Sequence, residues 1–308
     1  MQEVRVITPA TVANVVCGFD CLGFALSEPF DEMLVRRTAE PGIRITHNDE
    51  FNLTTDPRQN MAGVVAAAML ERADVDFGVE IEITKHIMPG SGIGSSSASA
   101  VGTAVGMNRL LDDRFSQLEL VDLALEGETL ASGSRHADNV APGVYGGFTL
   151  VRSVDPVDIV GLEHPPLWAT IIHPQVEVKT AEARSILPAQ VPLKTAIRQW
   201  SNVGSLVAGL AAGDYGLISR SMEDLIVEPV RRSLIPHLDE IKSASMAAGS
   251  LGGGISGSGP SMFMLSETEV TARSVEKAMH SVYRQTGIKY KTYVSAVCRD
   301  GARVLDAA

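Results

Sequence analysis

Apolar and polar positions alternate over Val4-Arg5-Val6-Ile7, an apolar run spans Glu32 to Arg36, and Gly42 to Thr46 and Val79 to Thr84 alternate again, with Pro, Gly and Asp between them. A period of two puts one face of an extended segment in the core, so these stretches predict short strands. Asn60 to Arg72 (NMAGVVAAAMLER) and Ala98 to Leu111 are alanine-rich with helical spacing, and Ser116-Gln117-Leu118-Glu119 reads as a capping box opening a helix to about Leu130. Further on, the pattern predicts strands near Trp168 to Ile172, Met262 to Leu265 and Thr292 to Val297. Helices are predicted over about Leu193 to Leu210, His237 to Ala248 and Val270 to Gln285. Strands and helices are mixed without regular βαβ alternation, which predicts an α+β fold over a doubly wound parallel sheet. After a strand at Thr149-Leu150-Val151, the segment from Ser153 to Pro166 is rich in Asp and Pro and is predicted as the boundary between domains 1–152 and 153–308.

Composition narrows the function classes. At 308 residues the chain can bury one large or two ordinary cores, and with 45% hydrophobic and 20% charged residues it reads as a soluble globular enzyme. A net charge of −11 opposes any general nucleic-acid or anionic-membrane surface, so an anionic ligand must be met by a local positive site. Of the three cysteines, Cys17 and Cys21 lack zinc-site spacing and Cys298 is isolated in a strand-like run, which favours reduced thiols. The start, MQEVRVITPATVANV, lacks the basic and apolar regions of a secretory signal. The weakly polar stretch from Ile87 to Met107 is interrupted by Gly and Ser, unlike a membrane helix. The expectation is a cytoplasmic protein with no nucleic-acid or membrane partner.

The strongest chemical signal is Pro89-Gly90-Ser91-Gly92-Ile93-Gly94-Ser95-Ser96-Ser97-Ala98-Ser99, between a strand ending near Thr84 and an alanine-rich helix. Glycines let backbone N–H groups converge, the helix amino terminus adds partial positive charge, and hydroxyls can reach phosphate or Mg²⁺. A lone glycine turn often does no more than start a helix. The three serines after Gly94 favour a ligand site. The segment is not a Walker A loop, because Ser95 stands where Lys is needed. It is not a good dinucleotide fingerprint, since several strands precede it, and no Gly-x-Ser-x-Gly elbow occurs in the chain.

Two more segments have the same texture: Thr8-Pro9-Ala10-Thr11-Val12-Ala13-Asn14 running on to Gly18-Phe19-Asp20-Cys21-Leu22-Gly23, and Gly252-Gly253-Gly254-Ile255-Ser256-Gly257-Ser258-Gly259-Pro260. In this order the three resemble the motifs of the GHMP small-molecule kinases, whose central motif is the ATP loop. Asn14 with Gly18-Phe19-Asp20, Arg135-His136-Ala137-Asp138-Asn139-Val140-Ala141-Pro142, Thr180-Ala181-Glu182-Ala183-Arg184, and Glu228-Pro229-Val230-Arg231 with Leu234-Ile235-Pro236 resemble the homoserine kinase family within it. The similarity runs from about Val4 to Val304. It departs at Val16-Cys17, where the family commonly has Gly-Pro, and at Ile93 and Ser97, where it has Leu and Ala. The resemblance implies a two-domain fold, with an N-terminal mixed β-sheet and helices and a C-terminal ferredoxin-like domain. It implies Mg-ATP-dependent phosphorylation of L-homoserine within threonine biosynthesis, and a homodimer.

A zwitterion with a hydroxyl needs a partner for each part. Arg184 and Arg231 can fork onto an α-carboxylate, and Asp20 can pair with the ammonium. Thr180 completes this set by resemblance, while Asn14, His136 and Asn139 offer polar contacts that orient the substrate and its hydroxyl. Glu128 would hold Mg²⁺ with Ser95 or Ser96, oxygen ligands that suit a hard cation. Asn60 would contact the adenine side, and Lys85 would offset phosphate charge. Each residue alone also has an ordinary role: Glu128 on a solvated helix face, His136 in a turn, Arg184 and Arg231 paired with Glu182 and Glu228, Asn60 as a helix cap, and Asn14 and Asp20 as turn formers. Another small-alcohol kinase, such as one for mevalonate or shikimate, and a non-catalytic ATP-binding sensor are the alternative readings.

Overall fold

The computed structural model describes residues 2–305. The chain opens with β1 (Glu3–Ala13), β2 (Leu22–Thr38), β3 (Ile43–His47), α1 (Met61–Ala73), β4 (Gly78–Thr84), α2 (Ser95–Leu110), α3 (Gln117–Ser132), α4 (Val140–Tyr145), β5 (Phe148–Val154) and β6 (Val157–Leu162). It continues through β7 (Trp168–Pro174), α5 (Thr180–Ser185), α6 (Leu193–Ala212), α7 (Tyr215–Ser221), α8 (Glu228–Arg231) and α9 (Leu238–Ala247). β8 (Gly252–Ile255), β9 (Met262–Ser266), α10 (Glu269–Tyr283), β10 (Tyr290–Ala296) and β11 (Arg303–Leu305) complete it.

Two sheets organise these elements. The first runs β11-β1-β2-β4-β3, with β5 beside the start of β2 and β6 beyond β5; its pairings are antiparallel except that of β3 with β4. The second runs β10-β7-β9-β8, all antiparallel. Numbered by position within that half, its strands lie in the order 4-1-3-2 with helices between the first and second and between the third and fourth, which is the ferredoxin-like arrangement. The α+β expectation holds.

Burial explains where the predicted elements were too short. In β1 the alternation of Val4 and Val6 gives way to continuous burial from Thr8 to Ala13, so the first motif starts as strand and turns only at Asn14. A strand covered on both faces loses its period-two signature. β2 extends from Leu22 because its first residues pair with β5 while Glu32 to Thr38 pair with β4. The Asp- and Pro-rich segment expected to be a linker contains β6, a hairpin partner of β5. The first sheet thus takes in residues on both sides of the 152/153 division, including β11. Gly252 to Gly254, read as loop, form β8, where a Cβ on Gly253 would stand 1.9 Å from the Phe263 carbonyl oxygen.

Helices α1 and α2 cover one face of the first sheet and α3 packs over them, with α2 buried on nearly every side; Val6, Val35, Val65, Met69, Val101, Met107 and Val121 join this core. A second apolar cluster joins the two halves, with Phe24 at 4.8 Å from Phe148 and 5.5 Å from Phe263 between ring centroids. α9 and α10 cover the second sheet through Ile241, Val275 and Met279. Cys17, Cys21 and Cys298 are free thiols. Among the described residues, no helix is long and apolar enough to cross a membrane.

Candidate active site

A cavity of about 320 Å³ opens where the three glycine-containing segments meet. The central segment leaves β4 at Thr84 and enters α2 at Ser95 with Gly90, Gly92 and Gly94 in the left-handed region, a conformation cheap only for glycine. Gly92 also permits contact: a Cβ there would stand 2.6 Å from the Gly259 carbonyl oxygen, and Ser256 Oγ donates to the Gly92 carbonyl oxygen at 2.7 Å. Asn14 Nδ2 donates to the Gly257 carbonyl oxygen at 2.7 Å, tying the first segment to the third. No side chain caps α2, whose amino-terminal N–H groups have no partners within the helix. That end is suited to phosphate oxygens.

Not every residue of the glycine segment faces the cavity. Pro89, Gly90, Gly92, Gly94, Ser95, Ser96 and Ser99 line it. Ile93 and Ala98 are packed into the apolar cluster between the halves, and Ser91 is 1% exposed with a hydroxyl that has no hydrogen-bond partner among the described residues. The Ser95 hydroxyl donates to the Ile87 carbonyl oxygen at 2.9 Å, which turns it from the metal role expected for it. Ser97 Oγ at 3.0 Å and Ser96 Oγ at 3.3 Å both donate to Glu128 Oε2, so the hydroxyls beside that carboxylate are Ser96 and Ser97. Glu128 is buried rather than on a solvated face, and desolvation, eased by these two bonds, pushes its carboxyl up to about 7.

Lys85 differs most from expectation. Its ammonium is buried and donates to Asp31 Oδ2 at 2.5 Å, the Ser95 carbonyl oxygen at 2.9 Å and Ser99 Oγ at 3.0 Å, which engages all three of its protons. Asp31 in turn accepts from the backbone N–H groups of His86 and Ile87. Lys85 therefore pins the start of α2 instead of standing free for phosphate. Asn60 is the N-cap of α1, accepting from the Ala62 N–H at 2.9 Å, and its amide donates to the Thr54 carbonyl oxygen and meets His47 Nε2 at 3.2 Å. It lines the cavity with His47, Leu53, Thr54, Gln59 and Met61.

At the other end the chain returns from far away in sequence. Arg184 on α5 forks onto Asp20, with Nη2–Oδ1 at 2.8 Å and Nη1–Oδ2 at 3.1 Å, instead of pairing with Glu182. Arg231 is 3% exposed; its Nε donates to the Ala183 carbonyl oxygen and its Nη1 to that of Gly257, and burial, then the charge of Arg184, lowers its pKa. His136 Nδ1 lies 3.9 Å from Asp20 Oδ1, and burial lowers its pKa against the raising influence of Asp20. Asn139 Oδ1 accepts from Thr11 Oγ1 at 2.8 Å, and Thr180 Oγ1 lies 3.3 Å from Ser258 Oγ. Asn14 shapes its turn, since its Oδ1 accepts from the Asp20 N–H at 3.0 Å. Asn14, Val15, Val16 and Asp20 all have positive φ. Val16, standing where the similar family commonly has Gly, takes φ 59° in a β-branched residue, a strained position.

Asp31, His47, Phe19 and Asp138 also belong to this site, although no local pattern in the sequence assigns them a role. Phe19 and Asp138 lay inside segments singled out for resemblance, so their positions were visible but not their contacts. Asp138 lines the cavity at 4% exposure; burial, then the charges of Asp20 and Glu128, push its carboxyl up to about 7.

Two family models match the chain: the GHMP kinases N terminal domain over residues 60–147 and the GHMP kinases C terminal domain over residues 206–285. A homoserine kinase of Chloroherpeton thalassium is 43% identical, with 99% of this chain and 100% of that protein aligned. The chain belongs to the homoserine kinases of the GHMP kinase family. A homoserine kinase of Pyrococcus abyssi is 37% identical over 96% of this chain and 97% of its own. The crystal structure of homoserine kinase from Cytophaga hutchinsonii superposes with a TM-score of 0.95 at 49% identity, covering 99% of this chain and 98% of that one. L. major mevalonate kinase in complex with R-mevalonate, at TM-score 0.73, 17% identity and 94% coverage of both chains, shares the GHMP fold. GHMP kinases of this kind are ATP-dependent phosphotransferases with an alcohol acceptor, and the glycine segment at the start of α2 falls within the matched N-terminal domain.

Proposed function

We propose that the chain transfers the γ-phosphoryl group of Mg-ATP to the hydroxyl of L-homoserine, giving O-phospho-L-homoserine and ADP. The observation that carries the acceptor assignment is the opposed charge at one end of the cavity: Asp20 against Arg184, with Arg231 beside them. A zwitterionic amino acid satisfies both signs, whereas an acid without an amine takes an arginine and leaves Asp20 without its cation. The N-terminal portion, residues 1–152, supplies the phosphate end, and residues 153–308 bring Thr180, Arg184 and Arg231.

In the transfer, the substrate oxygen forms a bond to the γ-phosphorus as the bond to the ADP oxygen breaks, and the hydroxyl proton passes late to an oxygen of the transferred phosphoryl group and from there to water. A loose transition state of this kind needs positioning and charge stabilisation more than a strong base. Asn14, His136 and Asn139 orient the hydroxyl, the amino-terminal N–H groups of α2 cradle phosphate, and no single side chain serves as an obligatory base. Glu128 and Ser96 fit Mg²⁺ and would hold it, because a carboxyl group beside a hydroxyl offers the hard oxygen donors that ion prefers. When bound, that ion neutralises charge on the phosphates. A homodimer and a cytoplasmic location accompany this proposal.

ADP release measured with L-homoserine, mevalonate, shikimate and no acceptor tests it. Release that depends on homoserine and stops with EDTA is expected; release with another alcohol overturns the acceptor assignment. Glu128→Gln is expected to lower kcat by about 100-fold or more, with part of the loss recovered at high Mg²⁺.

A further inference from the structure

Phe19 takes no part in the chemistry above, yet both guanidiniums at the amino-acid end lie over its ring, with Cζ of Arg231 at 5.0 Å and Cζ of Arg184 at 5.3 Å from the centroid. We propose that Phe19 is the positioning residue that holds Arg184 and Arg231 together as one fork for the substrate carboxylate. This rests on the homoserine assignment and names what builds its carboxylate subsite.

Two like charges converge here from different elements, Arg184 from α5 and Arg231 from α8; the charges of Asp20, Asp224 and Asp138 offset only part of the cost, since burial and Arg184 still hold the Arg231 pKa down. The neutral acceptors on Arg231, the carbonyl oxygens of Ala183 and Gly257, steer it without cancelling its charge. A carboxylate at position 19 would attract both cations more strongly but would also occupy the N–H groups that the substrate needs. An aromatic face attracts cations through its quadrupole and leaves those groups available to a carboxylate. Among the described residues Asp20 is the anion paired with Arg184, and a zwitterion can replace that contact on both sides, giving Asp20 an ammonium and Arg184 a carboxylate. Through the exchange the ring keeps Arg184 within reach of Arg231.

Replacing Phe19 with mono-, di- and trifluorophenylalanine tests this, since fluorine drains the ring face while nearly preserving its shape. The homoserine KM is expected to climb stepwise to about tenfold, with kcat and the ATP KM within about twofold. Phe19→Leu is expected to raise the homoserine KM to a similar degree, and Phe19→Trp to restore it. A homoserine KM indifferent to fluorination, in an enzyme whose unmodified form turns homoserine over, overturns the role of the ring alone. Absence of homoserine-dependent ADP release from the unmodified enzyme overturns the acceptor assignment and this proposal with it.

Discussion

Two ion pairs stand beside one cavity, built from the same kinds of charge and put to opposite uses. Lys85 and Asp31 meet at 2.5 Å with side chains 2% and 0% exposed, and the remaining polar capacity of both is taken up by Ser95, Ser99 and two backbone N–H groups. Arg184 and Asp20 meet at 2.8 Å with side chains 39% and 35% exposed. Separating the first pair strands a charge away from water, so it behaves as scaffold. Water screens the second, whose net worth is at most about 1 kcal/mol, so it can be given up to a ligand that offers equal partners. Burial, not residue type, separates the pair that fixes the start of α2 from the pair that, in the proposed function, a substrate exchanges.

The largest expected effect breaks the buried pair. Lys85→Met should cost about 3–5 kcal/mol of stability by urea denaturation, because it removes one partner of a buried pair; a loss below about 1 kcal/mol would erase the distinction. Arg184→Ala should leave stability within about 1 kcal/mol of the parent while raising the homoserine KM by about 10- to 100-fold and sparing the ATP KM. A loss of stability as large as that of Lys85→Met would make both pairs scaffold.

The smallest effect concerns Asp138, a carboxylate of the same cavity whose pKa burial raises to about 7. The folded protein keeps a proton that the unfolded chain releases near its ordinary value of about 3.9. Stability from this group is full below that value and is lost as pH rises through about 7. Melting temperature should therefore fall between about pH 4 and pH 7, and Asp138→Asn should flatten part of that fall. Equal slopes in the two proteins would remove Asp138 as the cause.

Much of the site was legible where the contacts are short in sequence. The Ser116 and Glu119 capping box forms as its spacing predicts, and Asn60 caps α1 two residues downstream. The glycine segment leads into α2 because its left-handed positions need glycine whatever surrounds them. The buried strand residues Thr8 to Ala13 were not legible, since continuous burial removes the alternation that marks a strand.

Local sequence alone carries the α+β class, most helices, the glycine turn that opens α2 and, through three ordered motifs, the family. These depend on local spacing, on backbone freedom and on residue types that can be read one segment at a time. Only the tertiary structure decided that Lys85 belongs to Asp31, that Ser96 and Ser97 rather than Ser95 meet Glu128, and that Arg184 and Arg231 converge over Phe19. Asp20 and Arg184 are 164 residues apart, and Lys85 and Asp31 are 54. A long side chain can reach many partners, so which one it meets, and how dry that contact is, depends on how the two sheets pack around the cavity.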